Sequence, residues 1–305
     1  MSPPASEPRP VSAYIPCYNN APTVGITIEG IRRQTRAVDE LFVVDDGSTD
    51  DSARVVEALG VKVIRMDRNC GRGAVRACAM EAARNEFVLC CDATNRLSPH
   101  FLEIALGWLS PEKVVAAFGR LCDHNPRTTV DRWRARHLFH QDVIREVVLQ
   151  ARLSTYGALV RKSAVLKVGN YNALLRHGED YELGLRLQTI GDVVFDPALE
   201  VETAIQNTLL QVMERFARWN RSALTSYTLN DFLESQIAAW RILVPEDLKN
   251  GDWRAALISM TAPFFSAAHA DKLTIKFSVK EFVERMRRPR PDSQPEPGGP
   301  ARPAG

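Results

Sequence analysis

Three short apolar runs, each closing on polar or acidic residues, constrain this chain more than any other feature. They are Val11-Ser-Ala-Tyr-Ile-Pro-Cys-Tyr-Asn-Asn20, Leu41-Phe-Val-Val-Asp-Asp-Gly-Ser-Thr-Asp50 and Phe87-Val-Leu-Cys-Cys-Asp92. Each is too short for a core helix and lacks the polar alternation of a half-exposed strand. Strands buried on both faces read this way. Helical patterns separate them: Thr23–Gln34, Ser52–Leu59 and Gly73–Arg84, with a further strand at Val61–Arg65. Strand and helix in alternation predict a doubly wound, mainly parallel α/β sheet with helices on both faces. In such a sheet ligands bind beyond the carboxyl ends of the strands. Pro16–Asn20, Asp45–Asp50 and Asp92–Arg96 are those ends, so they are expected to converge on one cleft.

Beyond Ser98 the pattern continues with a helix bearing Phe101, Ile104, Ala105 and Trp108, then a strand at Val114–Phe118. Residues 123–155 are polar and read as helical. A strand at Gly157–Val160 precedes a helix that begins near Gly178, and Asp192–Phe195 reads as a strand. From Thr208 to about Met286 the chain is expected to be helical in two or three pieces. This divides it into a flexible 1–10, a first half of the α/β domain at 11–120, a second half of the same domain at 121–205, a helical extension at 206–286 and a disordered, Pro/Gly-rich tail at 287–305.

The helix near Gly178 opens with the adjacent acids Glu179 and Asp180, followed by Leu183, Leu185 and Leu187 for a core face. Acids in a first turn complement the helix dipole, and capping alone explains many of them. The alternative is that the two carboxylates project into the cleft.

Composition removes other classes. A formal net charge of +2 over 305 residues gives no reason to expect nucleic acid as a partner. The six cysteines, Cys17, Cys70, Cys78, Cys90, Cys91 and Cys122, lack metal-ligand spacing and fit a reducing, cytoplasmic setting. The first ten residues hold no apolar run and do not read as a signal peptide. No stretch reaches the roughly 18–20 apolar residues that span a bilayer. Leu257–Ala268 comes closest, is interrupted by Pro263, and reads as a buried or interfacial helix. Arg285, Arg287, Arg288 and Arg290 form a basic run that either touches anionic lipid or is simply solvated.

Between Val11 and Trp219 the ordered motifs resemble a family 2 glycosyltransferase of the GT-A fold. Ile15-Pro-Cys-Tyr-Asn19 is similar to the family's opening P-x-Y-N. Val43-Val-Asp-Asp-Gly-Ser-Thr-Asp50 resembles its second-strand signature, and Asn69-Cys-Gly-Arg-Gly-Ala-Val-Arg76 its N-x-G…R helix start. Asp92 stands where the D-x-D begins. Val168-Gly-Asn-Tyr-Asn172, followed by Glu179-Asp180 and Arg186, resembles the acceptor-side motif. The resemblance implies inverting transfer of a sugar, hexosyl in kind, from a nucleotide-diphosphate donor to a hydroxyl of a glycan, lipid-linked or protein acceptor in cell-surface glycan or glycoconjugate synthesis. It implies Asp180 as base, with Glu179 orienting the acceptor or the helix start. Pro16, Tyr18, Asn19, Asp45, Asp46, Arg72, Arg76 and Asp92 are implied on the donor side. Tyr18 is a candidate base-stacking ring. Asp46 has the competing reading of a plain Asp-Gly turn former. Arg72 reaches a phosphate or is merely solvated.

Two departures matter. The D-x-D-D reads Asp92-Ala93-Thr94-Asn95, so the acids expected to hold Mg2+ or Mn2+ are reduced to Asp92. Three readings follow: weak metal binding through Asp92 and the donor phosphates, replacement of the ion by Arg72, Arg76 and Arg96, or an inactive nucleotide-sugar-binding or partner protein on the same scaffold. The second departure is Arg215-Phe-Ala-Arg-Trp219, which keeps only the end of the Q-x-x-R-W of sugar-polymer synthases. Arg218 and Trp219 either border an acceptor channel or pack as ordinary helix residues, and a single addition fits better than polymerisation. A sugar-nucleotide pyrophosphorylase would need a Gly-rich basic loop after the first strand, and Pro16–Ala21 has none.

Overall fold

A computed structural model describes residues 9–143, 145–220, 227–268 and 273–274. The expected tail at 287–305 and the arginine run at 285–290 lie outside the described residues. The chain falls into two compact units, one comprising 9–122 with 145–205 and the other 123–143 with 206 onward.

In the first unit β1 (Val11–Cys17), α1 (Val24–Arg32), β2 (Glu40–Asp45), α2 (Ser52–Ala58), β3 (Lys62–Arg65), α3 (Arg72–Ala82) and β4 (Phe87–Cys91) alternate as the apolar runs predict. They are followed by β5 (Asn95–Leu97), α4 (Phe101–Trp108) and β6 (Val114–Cys122). After the excursion into the second unit come β7 (Gly157–Arg161), α6 (Lys162–Lys167), α7 (Glu179–Leu187) and β8 (Asp192–Thr203). The eight strands form one sheet in the order β3-β2-β1-β4-β7-β6-β8-β5. β1, β2, β3 and β4 are parallel, so Cys17, Asp45 and Cys91 end on one edge. β7 runs against both β4 and β6. Its first residue, Gly157, therefore pairs with Cys91, the last of β4. Every residue of β4 is buried, as a strand covered on both faces requires.

The core joins sheet and helices through Tyr14, Phe42, Val88 and Phe118 with Val75, Met80, Leu183 and Leu187. Burial of aliphatic and aromatic side chains of this kind contributes about 1.5–3 kcal/mol each.

Four departures have local causes. Arg9 is not loose: it donates to the carbonyls of Leu106 at 2.8 Å and Leu109 at 3.0 Å. β8 is longer than the apolar run at 192–195. It continues past Pro197 through an irregularity against β6, where a Cβ on Gly119 would lie 1.7 Å from the Leu199 carbonyl oxygen. β5 is a three-residue edge strand pairing with β8, too short and polar to read as a strand. Residues 145–156 are irregular, not helical; Val148 exchanges 2.9 Å backbone hydrogen bonds with Phe195, and Ala151 N–H donates to the Val193 carbonyl.

The second unit is helical. It opens with α5 (Thr129–Trp133), which continues as a π-helical turn at Arg134–Leu138. Then come α8 (Leu209–Asn220), β9 (Tyr227–Thr228), α9 (Leu229–Ala238), a second π-helical turn (Ala239–Leu243), α10 (Val244–Lys249), α11 (Trp253–Ala268) and β10 (Leu273–Thr274). The grouping of 123–143 with 206 onward differs from the boundary expected at 121–205. Its cause is a buried polar network. Asp247 accepts from Arg136 and from His137 Nε2 at 2.7 Å, and Ser259 Oγ donates to it at 2.6 Å. Trp133 Nε1 donates to Ser259 Oγ at 2.8 Å, and Arg132 pairs with Asp252 at 2.6 Å. Buried charges are tolerated only when paired in this way. No helix among the described residues is long and apolar enough to cross a membrane.

Candidate active site

The strand ends at one edge of the first unit are tied together before they offer anything to a ligand. Asn19 takes the left-handed backbone conformation, φ 52°, that asparagine tolerates better than most residues. Its side-chain oxygen accepts from Thr49 N–H at 2.8 Å and Asp50 N–H at 3.3 Å, which locks the end of β1 to the loop after β2. Asp45 is buried and accepts from the Ser48 backbone N–H and hydroxyl. Asp46 is buried and spends both oxygens on the approach to α3, accepting from Cys70 N–H at 2.7 Å and Gly71 N–H at 2.9 Å. Asp46 therefore acts as a brace for the 69–72 loop, a firmer version of its turn-forming reading. Pro16 lies in β1 in register with Val44, and the Tyr18 ring is exposed. Among these donor-side residues Tyr18 alone presents a large free apolar surface.

Arg76 is the hub of the site. It is 1 % exposed and reaches three side chains on two segments, α7 and the end of β4. Its Nε donates to Glu179 Oε1 at 3.1 Å, Nη2 to Asp92 Oδ1 at 2.8 Å, and Nη1 to Cys90 Sγ at 2.6 Å. Arg76, expected on the donor side, is buried and paired with Asp92 and Glu179. Its position in the second turn of α3 points it under the sheet edge, where two carboxylates claim it. Arg72, one turn earlier, is the cation that stays accessible. Its Nε is 3.6 Å from Glu179 Oε1 and its Nη2 3.3 Å from His177 Nδ1.

Glu179 is fully buried, and its Oε2 has no hydrogen-bond partner among the described residues. Asp180, half-buried beside it, has Oδ2 facing Thr155, whose N–H is at 3.3 Å and hydroxyl at 3.5 Å, while Oδ1 accepts from Tyr181 N–H at 2.9 Å. Burial and then the neighbouring Glu179 carboxylate push the Asp180 carboxyl above its ordinary value, against the pull of Arg76, Arg72 and the Tyr181 N–H. The two acids thus differ in use: Glu179 anchors to Arg76, and Asp180 keeps a more basic carboxylate at the edge. Neither is a mere helix cap.

The loop that delivers them crosses directly over α3. A Cβ on Gly73 would lie 2.2 Å from the Asn172 carbonyl oxygen and 2.5 Å from that of Leu175, and Gly73 N–H donates to the latter at 3.1 Å. Glycine is required there for close approach. Gly178 then takes φ 72° at the start of α7.

The D-x-D position provides little for a cation. Asp92 gives one carboxylate, with Oδ1 already on Arg76. Asn95 is buried in β5, its amide donating to the Tyr156 carbonyl at 3.1 Å. Thr94 brings a neutral hydroxyl. Arg96 is engaged by Glu202 across the β5–β8 ladder. Divalent ions such as Mg2+ and Mn2+ favour paired carboxylates, and these residues do not assemble a pair. Thr155, Tyr156 and Cys90 were not legible as site residues. Cys90 meets Arg76 from within β4, whereas Tyr156 meets Asp92 because β7 starts where β4 ends, with Thr155 beside it facing Asp180; no local pattern encodes these meetings. Arg218 and Trp219 lie in α8 of the second unit, Arg218 exposed and Trp219 half-buried with the Arg215 guanidinium 5.9 Å above its ring.

The model of glycosyl transferase family 2 matches residues 12–176, more than half of the chain. The chain belongs to this family. Its sheet, with the strand ends and the α7 acids on one edge, is the GT-A fold. Over 103 residues it is 34 % identical to the succinoglycan biosynthesis protein ExoO of Rhizobium meliloti, covering 32 % of this chain and 30 % of the relative. Over 260 residues it is 25 % identical to the hyaluronan synthase of Streptococcus pyogenes, covering 76 % of this chain and 59 % of the synthase. It thus spans less than two thirds of either relative. Among solved structures, the family 2 fold here is similar to S. aureus TarS 1–349 with UDP, with a TM-score of 0.52 and 19 % identity over 77 % of this chain and 71 % of that one. It is also similar to the mannosyltransferase PcManGT of Pyrobaculum calidifontis, solved with GDP-Man and Mn2+, with a TM-score of 0.53 and 17 % identity over 87 % and 75 %.

Proposed function

We propose that this chain is an inverting glycosyltransferase that moves one sugar from a nucleoside-diphosphate sugar to an acceptor hydroxyl in surface glycan synthesis. The observation that carries this reading is Asp180, a carboxylate of raised basicity fixed by Thr155 and Tyr181 beside the Asp92–Arg76–Glu179 cluster. In the proposed step Asp180 takes the acceptor hydroxyl proton while that oxygen forms the new bond to the anomeric carbon. The bond to the diphosphate breaks from the opposite face, and the nucleoside diphosphate leaves with the bonding electrons. A carboxylate held above its ordinary range is a stronger base for this proton transfer. The departing charge needs a cation, and Arg72 is assigned that task because Arg76 is committed inside. Tyr18 is placed against the nucleobase, and Asp45 near the nucleoside. The ligands of the structural neighbours, UDP and GDP-Man, support this donor class.

The second reading, a nucleotide-sugar-binding protein without turnover, is favoured by one observation, the lone carboxylate at Asp92. Calorimetry and a transfer assay across UDP-, GDP- and dTDP-sugars separate the two. Transfer that Asp180→Asn lowers by about 10²–10⁴, with donor affinity kept, supports the enzyme. Donor binding with no turnover on any acceptor class supports the second.

A further inference from the structure

Helix α11 is apolar on both sides. Its inner face buries Ala255, Ala256, Ile258 and Ala262. Its outer face carries Trp253, Leu257 and Phe264, exposed by 60, 52 and 58 %. At 3.6 residues per turn these three fall on one narrow stripe. A helix that is hydrophobic all round is normally covered all round. The preceding π-helical turn adds Trp240, exposed by 55 %. Both exposed tryptophans are followed directly by an arginine, Trp240–Arg241 and Trp253–Arg254, and Arg241, Lys249 and Arg254 are themselves exposed. Among the described residues of 239–268 the acids do not balance them. Asp247 is buried against Arg136 and His137, and Asp252 is buried against Arg132. Glu246 is half-buried, 3.7 Å from His137 Nδ1.

An apolar stripe that starts on a tryptophan followed by an exposed arginine, in a unit that exposes a second such pair at Trp240–Arg241, has the chemistry of a bilayer interface. The rings and aliphatic groups enter the headgroup boundary, and the guanidinium groups meet lipid phosphates. A second copy of this chain would bring the same cations face to face, which disfavours self-association. We propose that the outer face of α11, with Trp240, docks on an anionic lipid surface. This face belongs to the helical unit alone, so the proposal stands or falls independently of the transferase reading.

The test is co-sedimentation of the full chain with vesicles of phosphatidylcholine, alone or mixed with phosphatidylglycerol. Three cations near the surface predict partition on the order of a hundredfold stronger into the anionic vesicles. The paired change Trp253→Ser with Leu257→Ser should lower that partition at least about tenfold. Arg241→Glu with Arg254→Glu should remove the preference for phosphatidylglycerol. All four residues are exposed, and unchanged circular dichroism and thermal unfolding confirm that each variant folds. Equal partition into both vesicle types would overturn the proposal. So would anionic binding that neither variant changes, which would move the contact elsewhere, such as the 285–290 arginine run. Absence of vesicle binding together with concentration-dependent self-association would also overturn it and give the face to a second copy.

Discussion

Replacing Arg76 with alanine tests the architecture of the site most directly. The guanidinium serves Glu179 and Asp92, and the two depend on it unequally. The Asp92 side chain is about a quarter exposed, so water can take over its lost hydrogen bond. Glu179 has no exposure and an Oε2 already without a partner. Its carboxylate would be left charged and dry. Removing one partner of a buried ion pair costs about 3–5 kcal/mol, and a loss near the middle of that range, about 4 kcal/mol, is expected here. That is a large share of a typical domain's stability. Native-state hydrogen exchange reads it in the unit that carries the site, where a single melting curve for two units would not. Three further outcomes follow. Arg76→Lys should recover only part of the loss, since one ammonium cannot reproduce a fork that reaches both carboxylates. Adding Glu179→Gln to Arg76→Ala should restore about 2 kcal/mol, because no buried charge is then stranded. The defect of Arg76→Ala should shrink on acidification, as a proton neutralises the stranded carboxylate. A cost below about 1 kcal/mol, or no coupling to Glu179, would refute the buried hub.

Other outcomes are equally specific. The Asp180 carboxyl is raised by burial, so its contribution to stability is present below the unfolded carboxylate value and is lost as pH rises through the higher folded one. Asp180→Asn should therefore stabilise the protein at neutral and alkaline pH by about 0.5–2 kcal/mol, but not in acid, as followed by urea unfolding across pH. Arg72→Ala should lower kcat by about 10²–10³ with a smaller change in donor affinity, and wild-type transfer should persist in EDTA; loss of all activity in EDTA would return the leaving-group charge to a metal ion. Gly73→Ala should displace the 172–175 loop, costing about 1–3 kcal/mol and reducing kcat more than donor binding, measured by calorimetry beside steady-state rates.

The sequence made the parallel half of the sheet legible because strands covered on both faces leave continuous apolar runs. β2 and β4 begin and end where their runs do. It failed at β5 and at 145–156, where three polar residues and an irregular loop owe their conformation to β8 and not to their own pattern. The α7 acids were visible by position and type. Their division of labour was not, because it depends on Arg76, which sits 103 residues from Glu179 along the chain. The same holds for Thr155: it meets Asp180 across 25 residues of chain, through the packing of α7 and the pairing of β7 and not through any local pattern.

That pairing has a consequence for how such a protein diversifies. Because β7 enters the sheet beside the end of β4, the stretch just before it arrives at the site along β8, with Val148 bonded to Phe195 and with Ala151 and Leu153 buried in the core. Its last residue, Tyr156, is pinned through its carbonyl by Asp92 N–H and the Asn95 amide, and through its hydroxyl to the Gly119 carbonyl. Residues 148–154 are held with β8 and the core, so exchange with the anchor intact is open to the exposed residues 145–147. Replacing 145–147 with the residues of another family member, with Thr155 and Tyr156 retained, is expected to leave the fold and the proposed base Asp180 in place.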